Sequence, residues 1–224
     1  MTITGSSGTG PGDIAPDGSP VEYYAVLGPD REPEIISEVV PVAGSILELG
    51  SGTGRVTHPL VELGFEVVAV DESAAMLAHV SGAETVCASV QELSLGRRFD
   101  AVLLASYLVN TPDDTLRQDF LQACARHVKA DGSVLIQWQP AEAHDAWAPG
   151  LSGRAGITMA AVEEVSPGLF AATMRYEHEG RVWTQSFRSR RMTDDVLEDE
   201  LAQAGLSFDR FLTADHTWVL AVPQ

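Results

Sequence analysis

The segment Glu48-Leu-Gly-Ser-Gly-Thr-Gly54 follows directly on the apolar run Ser45–Leu49. Glycines at 50, 52 and 54 offer no side chain to pack and cost conformational entropy, so the main chain there is shaped for a tight turn or for a ligand lying against it. Asp71 closes the next apolar run, "EVVAVD". At that place in an α/β protein an acid can take both hydroxyls of a ribose. Two later strand ends carry further groups able to hold a nucleophile in line: Ser106, Tyr107 and Asn110, then Trp138, Gln139 and His144. His144, in the polar stretch "QPAEAHDAW", is the histidine placed to act as a general base, with Glu142 or Asp145 available to hold the ring and raise its pKa. A merely solvated loop histidine is the alternative. His178 and His216 are fallback bases, and His58 reads as a cap or a packing residue. Arg188, Arg190 and Arg191 could grip an anionic substrate or simply charge an edge strand.

Spacing separates the cofactor classes that use a glycine loop. A nucleoside-triphosphate loop needs Gly-Lys-Ser or Gly-Lys-Thr, and the only lysine in the chain is Lys129. That class is excluded. A dinucleotide fingerprint needs its third glycine three residues after the second, where this chain has Arg55. A nicotinamide cofactor is therefore disfavoured.

The elements that must position these residues are legible as a pattern. From about 31 to 139, short apolar runs ("SILEL", "EVVAV", "TVCAS", "AVLLA", "SVLIQW") alternate with amphipathic stretches; the clearest spans 113–128, with Leu116, Phe120, Cys124 and Val128 four residues apart. This predicts an α/β fold, a doubly wound and mostly parallel seven-stranded Rossmann-like sheet with an antiparallel edge. Residues 156–191 read instead as three strands joined at Pro167-Gly168 and Glu179-Gly180, an inserted antiparallel meander. A helix from Thr193 to Gly205 and two closing strands follow. Residues 1–19, rich in Gly, Ser, Thr and Pro, are expected to be a disordered tail. The expected domain is 20–224, with lid helices over 20–40, a cofactor-binding core over 41–140 and a substrate roof over 156–191.

Composition narrows the partners. A net charge of −18 argues against a nucleic-acid backbone, whose binding depends on Lys and Arg. No apolar run approaches the roughly 18 residues of a membrane span, and no basic-then-apolar leader opens the sequence, so a cytoplasmic protein is expected. Cys87 and Cys124 read as reduced core residues, and no metal cluster is evident. A monomer or homodimer acting on a small molecule is expected.

Taken together, "ELGSGTG", "VAVDESAAML", "ASVQEL", "FDAVLLASYLVNTPDD" and "KADGSVLI" resemble the class I S-adenosylmethionine-dependent methyltransferases over roughly residues 20–140. The resemblance implies S-adenosylmethionine as cofactor and S-adenosylhomocysteine as product. It implies that Glu48, Gly50, Ser51, Gly52, Thr53 and Gly54 hold the amino-acid end and that Asp71 and Glu72 hold the ribose. Met76, Ser89, Val90 and Ala105 would then line the adenine side. Ser89 stands where many members have an acid, and Asn110 where many have histidine. "VEYYAVLG" and the meander are similar to small-molecule methyltransferases such as the deoxyaminosugar N-methyltransferases. That likeness implies that Tyr24 covers the cofactor and that Tyr23, Asn110, Trp138, His178 and Arg188 face the substrate, with His144 and Tyr107 catalytic. Tyr23 and Tyr24 could equally anchor a helix on the sheet. The implied activity is methyl transfer to oxygen or nitrogen of a small molecule, in a biosynthetic pathway. A nicotinamide oxidoreductase and a non-catalytic cofactor-binding protein are the alternatives.

Overall fold

The computed structural model describes residues 5–224. Its main layer is a seven-stranded sheet. Five strands run parallel: β2 (Ser45–Leu49), β3 (Glu66–Asp71), β4 (Glu84–Cys87), β5 (Phe99–Leu104) and β6 (Val128–Gln137). At the β6 edge, β11 (Trp218–Pro223) pairs antiparallel with β6 and with β10 (Leu206–Phe211), giving the order β10-β11-β6-β5-β2-β3-β4. The seven-stranded α/β sheet with an antiparallel edge is thus as the sequence pattern predicts. Leu47 pairs with Val68 on one side and Val102 on the other, and all three are buried, which is why β2, β3 and β5 read as continuous apolar runs.

Helices cover both faces. On one, α5 (Asp114–His127) lays Leu116, Phe120 and Cys124 against Leu49, Val102 and Leu104. Its start is set by Asp113, whose carboxylate accepts from the amides of Thr115 and Leu116 at 3.0 and 3.1 Å. α7 (Asp194–Gln203) adds Leu197 and Leu201 to the same core. On the other face, α2 (Glu32–Ser37) and α3 (Thr57–Glu62) bring Ile36 and Leu60 onto Ile46, Val67 and Leu103. Each such fully buried aliphatic side chain contributes roughly 1.5–3 kcal/mol. Cys124 is in this core, whereas Cys87, on the sheet's outermost strand, is exposed, contrary to its expected core position.

The second sheet is the meander: β7 (Ile157–Ser166), β8 (Leu169–His178) and β9 (Arg181–Arg190), turning at Gly168 and at Glu179-Gly180, all with positive φ. Its fourth strand, β1 (Ser7–Thr9), was not foreseen. β1 pairs antiparallel with β9, Gly8 opposite Gln185, so residues 5–19 are an ordered part of the roof and not a free tail. The composition that looked like disorder is there for close approach. A Cβ on Gly8 would sit 2.1 Å from the carbonyl oxygen of Gly18, and one on Gly10 2.3 Å from the Trp183 ring. The expected tail's first four residues lie outside the described residues. α1 (Val21–Val26) follows, and two further short helices are α4 (Ala74–Leu77) and α6 (Ala141–Asp145).

Candidate active site

β2 delivers its chain end to a sharp turn. The amides of Gly50 and Ser51 both donate to the Val70 carbonyl at 2.8 and 2.9 Å, which fastens the glycine loop to the end of β3. Gly50, Gly52 and Gly54 have φ of +73°, +56° and +86°. They serve different ends. A Cβ at Gly54 would lie 2.9 Å from the His58 ring, so that glycine admits the following helix, and His58 packs there as expected. At Gly52 a Cβ would meet no atom within 4 Å: it faces open space. That space is a cavity of about 760 Å³ between the two sheets, well within the roughly 300–1,000 Å³ of small-molecule sites.

Asp71 stands opposite the loop. Its Oδ2 accepts from the Gly52 amide and its Oδ1 from the Ser73 amide, each at 2.8 Å. Burial raises its pKa, and these two N–H donors oppose the rise. Glu48 is almost fully buried at the cavity floor, with the Thr57 hydroxyl donating to it at 2.6 Å. Burial pushes its carboxyl up to about 7. Ser51 Oγ is buried without any hydrogen-bond partner among the described residues, a polar atom at the loop awaiting one. Thr53 Oγ1 donates to the Tyr24 carbonyl at 2.9 Å, tying α1 over the loop. Arg55, where a dinucleotide loop would need glycine, is paired with Glu32 of α2 at 2.5 Å.

The cavity is lined by Tyr24, Glu48, Gly50, Ser51, Gly52 and Thr53, and by Asp71, Glu72, Met76, Ser89, Val90 and Ala105 on the β3–β5 side. Gly54 alone of the expected cofactor group is not among the lining residues. Past β5, Ser106 and Tyr107 are consecutive non-glycine residues at φ +57° and +60°. Such backbone costs of order 1–3 kcal/mol per residue and persists where the surroundings impose it. It turns Tyr107, 46% exposed, toward the cavity mouth.

The substrate-side expectations fare less evenly. Asn110 lines the cavity, yet its amide is fully engaged: Nδ2 donates to the carbonyls of Gln139 and Arg190 at 3.0 Å, and Oδ1 accepts from the Gln139 amide at 2.7 Å. It clamps the roof to the ends of β5 and β6. Arg188 lines the edge where β1 stops. Four residues are not among the lining set. Tyr23 is a buried anchor, its hydroxyl donating to the Ala155 carbonyl at 2.6 Å and its ring packed on Tyr176 and Trp183. Trp138 is core, its indole N–H donating to the His216 carbonyl. His178 sits at the exposed β8–β9 turn. His144 is in no polar loop: it lies on α6, only 1% exposed, between Trp147 and Phe170. Burial pushes its pKa down to about 4. Asp145 does not hold the ring, because its carboxylate takes both guanidinium arms of Arg191 at 2.7 Å.

Sequence reasoning missed Asp17 and Ser19 of the N-terminal segment, and the roof residues Met174, Tyr176, Gln185, Phe187 and Ser189. The alternation of β8 and β9 carried a signal for the second group, since 174/176 and 185/187/189 fall on single faces. Nothing comparable marked the first.

The methyltransferase domain family matches residues 46–132. An uncharacterized methyltransferase of Mycobacterium tuberculosis is 40% identical over 94 residues, which is 39% of this chain and 39% of that relative; the chain thus matches about two fifths of the relative's length. The CcbJ methyltransferase of Streptomyces caelestis superposes with a TM-score of 0.68 at 19% identity, covering 92% of this chain and 97% of that one. An amino pentose methyltransferase of Micromonospora echinaspora, solved with S-adenosylmethionine bound, gives 0.58 at 17% identity over 92% and 93%. Residues 46–132 thus match the methyltransferase domain family, and over 92% of its length the chain shares the fold of these solved methyltransferases.

Proposed function

We propose that this chain transfers a methyl group from S-adenosylmethionine to oxygen or nitrogen of a small molecule. One observation carries the reading: the bare Gly52 peptide, braced by Asp71 and flanked by the unpartnered Ser51 hydroxyl, opens on a cavity at the carboxyl ends of β2 and β3. Those groups fit a ligand that is a nucleoside at one end and an amino acid at the other. Asp71 retains lone pairs for a ribose, Glu48 offers a buried carboxyl toward an amino group, and Met76 and Val90 give an adenine an apolar bed. When bound, the cofactor supplies an electrophilic methyl. The chain's own task is to exclude water and align the acceptor. The roof residues Phe187, Trp147 and Met174 suit the first, and Tyr107 at the mouth suits the second.

A biosynthetic role on a small acceptor is supported by the amino pentose methyltransferase among the structural neighbours and by a cavity closed over by its own roof. The two cysteines, neither of them in a disulfide, agree with a cytoplasmic setting, and among the described residues no helix is long and apolar enough to cross a membrane. The test is thermal: S-adenosylhomocysteine should raise the melting temperature by mass action on the folded state, and NAD or NADP should not. Equal stabilisation by a nicotinamide dinucleotide would overturn the reading.

A further inference from the structure

Ser189 is only 5% exposed, lines the cavity from β9, and places its Oγ 2.8 Å from His144 Nε2. The other ring nitrogen, Nδ1, faces the carbonyl of Pro140 at 3.4 Å. A carbonyl only accepts, so the ring proton belongs on Nδ1 and Nε2 carries a lone pair. Burial keeps the ring neutral, and Arg191, which would oppose its charging, lies alongside on Asp145. The Ser189 hydroxyl must then donate to Nε2. A hydroxyl has one proton and two lone pairs. With its proton spent on His144, Ser189 offers the cavity acceptors alone.

Its place matters as much as its direction. Asn110 binds the carbonyl of Arg190, the neighbour of Ser189, and belongs to the loop whose Leu108 packs against Gly50. Ser189 therefore stands where the roof meets the glycine-loop side of the cavity. Around it are Phe187 and Trp147, and in such apolar surroundings a polar group left without a partner is costly. We infer that Ser189 selects for an N–H or O–H on the molecule that accepts the methyl group, and that His144 is the positioning residue that aims it. The identity of that molecule as a methyl acceptor rests on the proposed function; the direction of the bond does not.

Two measurements on the full chain test this. In ¹⁵N-labelled protein, the His144 ring should show a protonated Nδ1 and a bare Nε2 throughout pH 6–8; a protonated Nε2 overturns the inference. With S-adenosylhomocysteine saturating, phenol and its isostere toluene serve as probes that differ in one donor. Their affinity ratio in the parent should favour phenol, should fall at least fivefold in Ser189→Ala and Ser189→Cys, and should return in Ser189→Thr. A parent that does not discriminate the probes, or a ratio unchanged in Ser189→Ala and Ser189→Cys, overturns it. His144→Phe, which leaves Ser189 in place but free to turn, should lose part of the preference; full retention would remove His144 from the role. If S-adenosylhomocysteine itself fails to bind, the methyltransferase reading falls, and the tautomer still decides the bond.

Discussion

Asp71 holds the glycine loop and offers a ligand its remaining lone pairs at the same time. Asp71→Ala should therefore weaken S-adenosylhomocysteine binding by about 1.5–3 kcal/mol, the range for hydrogen bonds to a charged group, with Asp71→Asn between the two because its amide oxygen can still accept from one backbone N–H. Calorimetry showing parental affinity in a folded Asp71→Ala would place the ribose elsewhere. Glu48 and His144 make a second residue-scale case through pH. The Glu48 carboxyl sits near 7 against an ordinary 4.5, so between those values the folded chain keeps a proton that the unfolded chain has lost. Its contribution is complete below about 4.5 and fades as pH rises through 7. His144, near 4 against an ordinary 6.5, works oppositely: between those values the unfolded chain holds the extra proton, and stability rises with pH. From about pH 4.5 to 6.5 the two slopes oppose each other, one proton each. Glu48→Gln should expose the histidine slope, making stability climb more steeply with pH over that window, and His144→Gln should do the reverse. Denaturant melts at pH 4.5, 5.5 and 6.5 check this, and parallel profiles for parent and both variants would refute it.

At the scale of elements, the N-terminal segment is the part whose importance changes most on seeing the structure. β1 covers the edge of β9, the Trp183 indole donates to the Pro11 carbonyl at 2.7 Å, and Gln185 Nε2 donates to Ser19 Oγ at 2.9 Å. Asp17 and Ser19 also wall the cavity. A chain starting at residue 20 leaves buried donors at Trp183 and Gln185 without these partners, at about 1–3 kcal/mol each. For a domain of this size that lowers the melting temperature by roughly 5 °C or more, and the ligand site loses a wall. Unchanged melting and unchanged S-adenosylhomocysteine affinity in that truncation would make the segment passive. The contrast with the meander shows what a sequence exposes. Pro167-Gly168 and Glu179-Gly180 announce hairpins because turn chemistry is local, and β7–β9 fall where those turns put them. The glycine loop and Asp71 were legible for the same reason: each follows a short apolar run. By contrast, the ordering of residues 5–19 depends on Trp183 and Gln185, and the burial of His144 on Phe170 and Ser189, all partners remote in sequence. Trp138, just past the end of β6, and Tyr23, on α1, are packed in the interior away from the cavity lining for a similar reason, since an aromatic reads alike in sequence whether it faces a cavity or the core.

For the whole molecule, the cavity belongs to neither sheet alone. Its floor is the β2–β5 end of the parallel sheet, and its ceiling is the inner face of β7–β9 with the N-terminal segment along one side. Contacts at its margin fasten one to the other, among them Asn110 to Arg190, His144 to Ser189, Asp145 to Arg191, Thr53 to the α1 carbonyl of Tyr24, and the bridge between Pro140 and Met192. The roof also has a small core of its own in Tyr23, Tyr176 and Trp183. A layer so joined can open locally at a lower free energy than global unfolding. A ligand filling the shared cavity gains contacts with both layers only when they are closed, so it should suppress that opening as well as steady the loop it touches. Hydrogen exchange with and without S-adenosylhomocysteine is the measure. Protection should rise at Glu48–Thr53 and around Asp71, and also in residues 6–19 and along β9 from 185 to 189, where direct contact with the nucleoside is not required. Protection confined to the glycine loop, Asp71 and the adenine side would mean that the cofactor binds to the parallel sheet alone, leaving closure of the roof to the methyl acceptor.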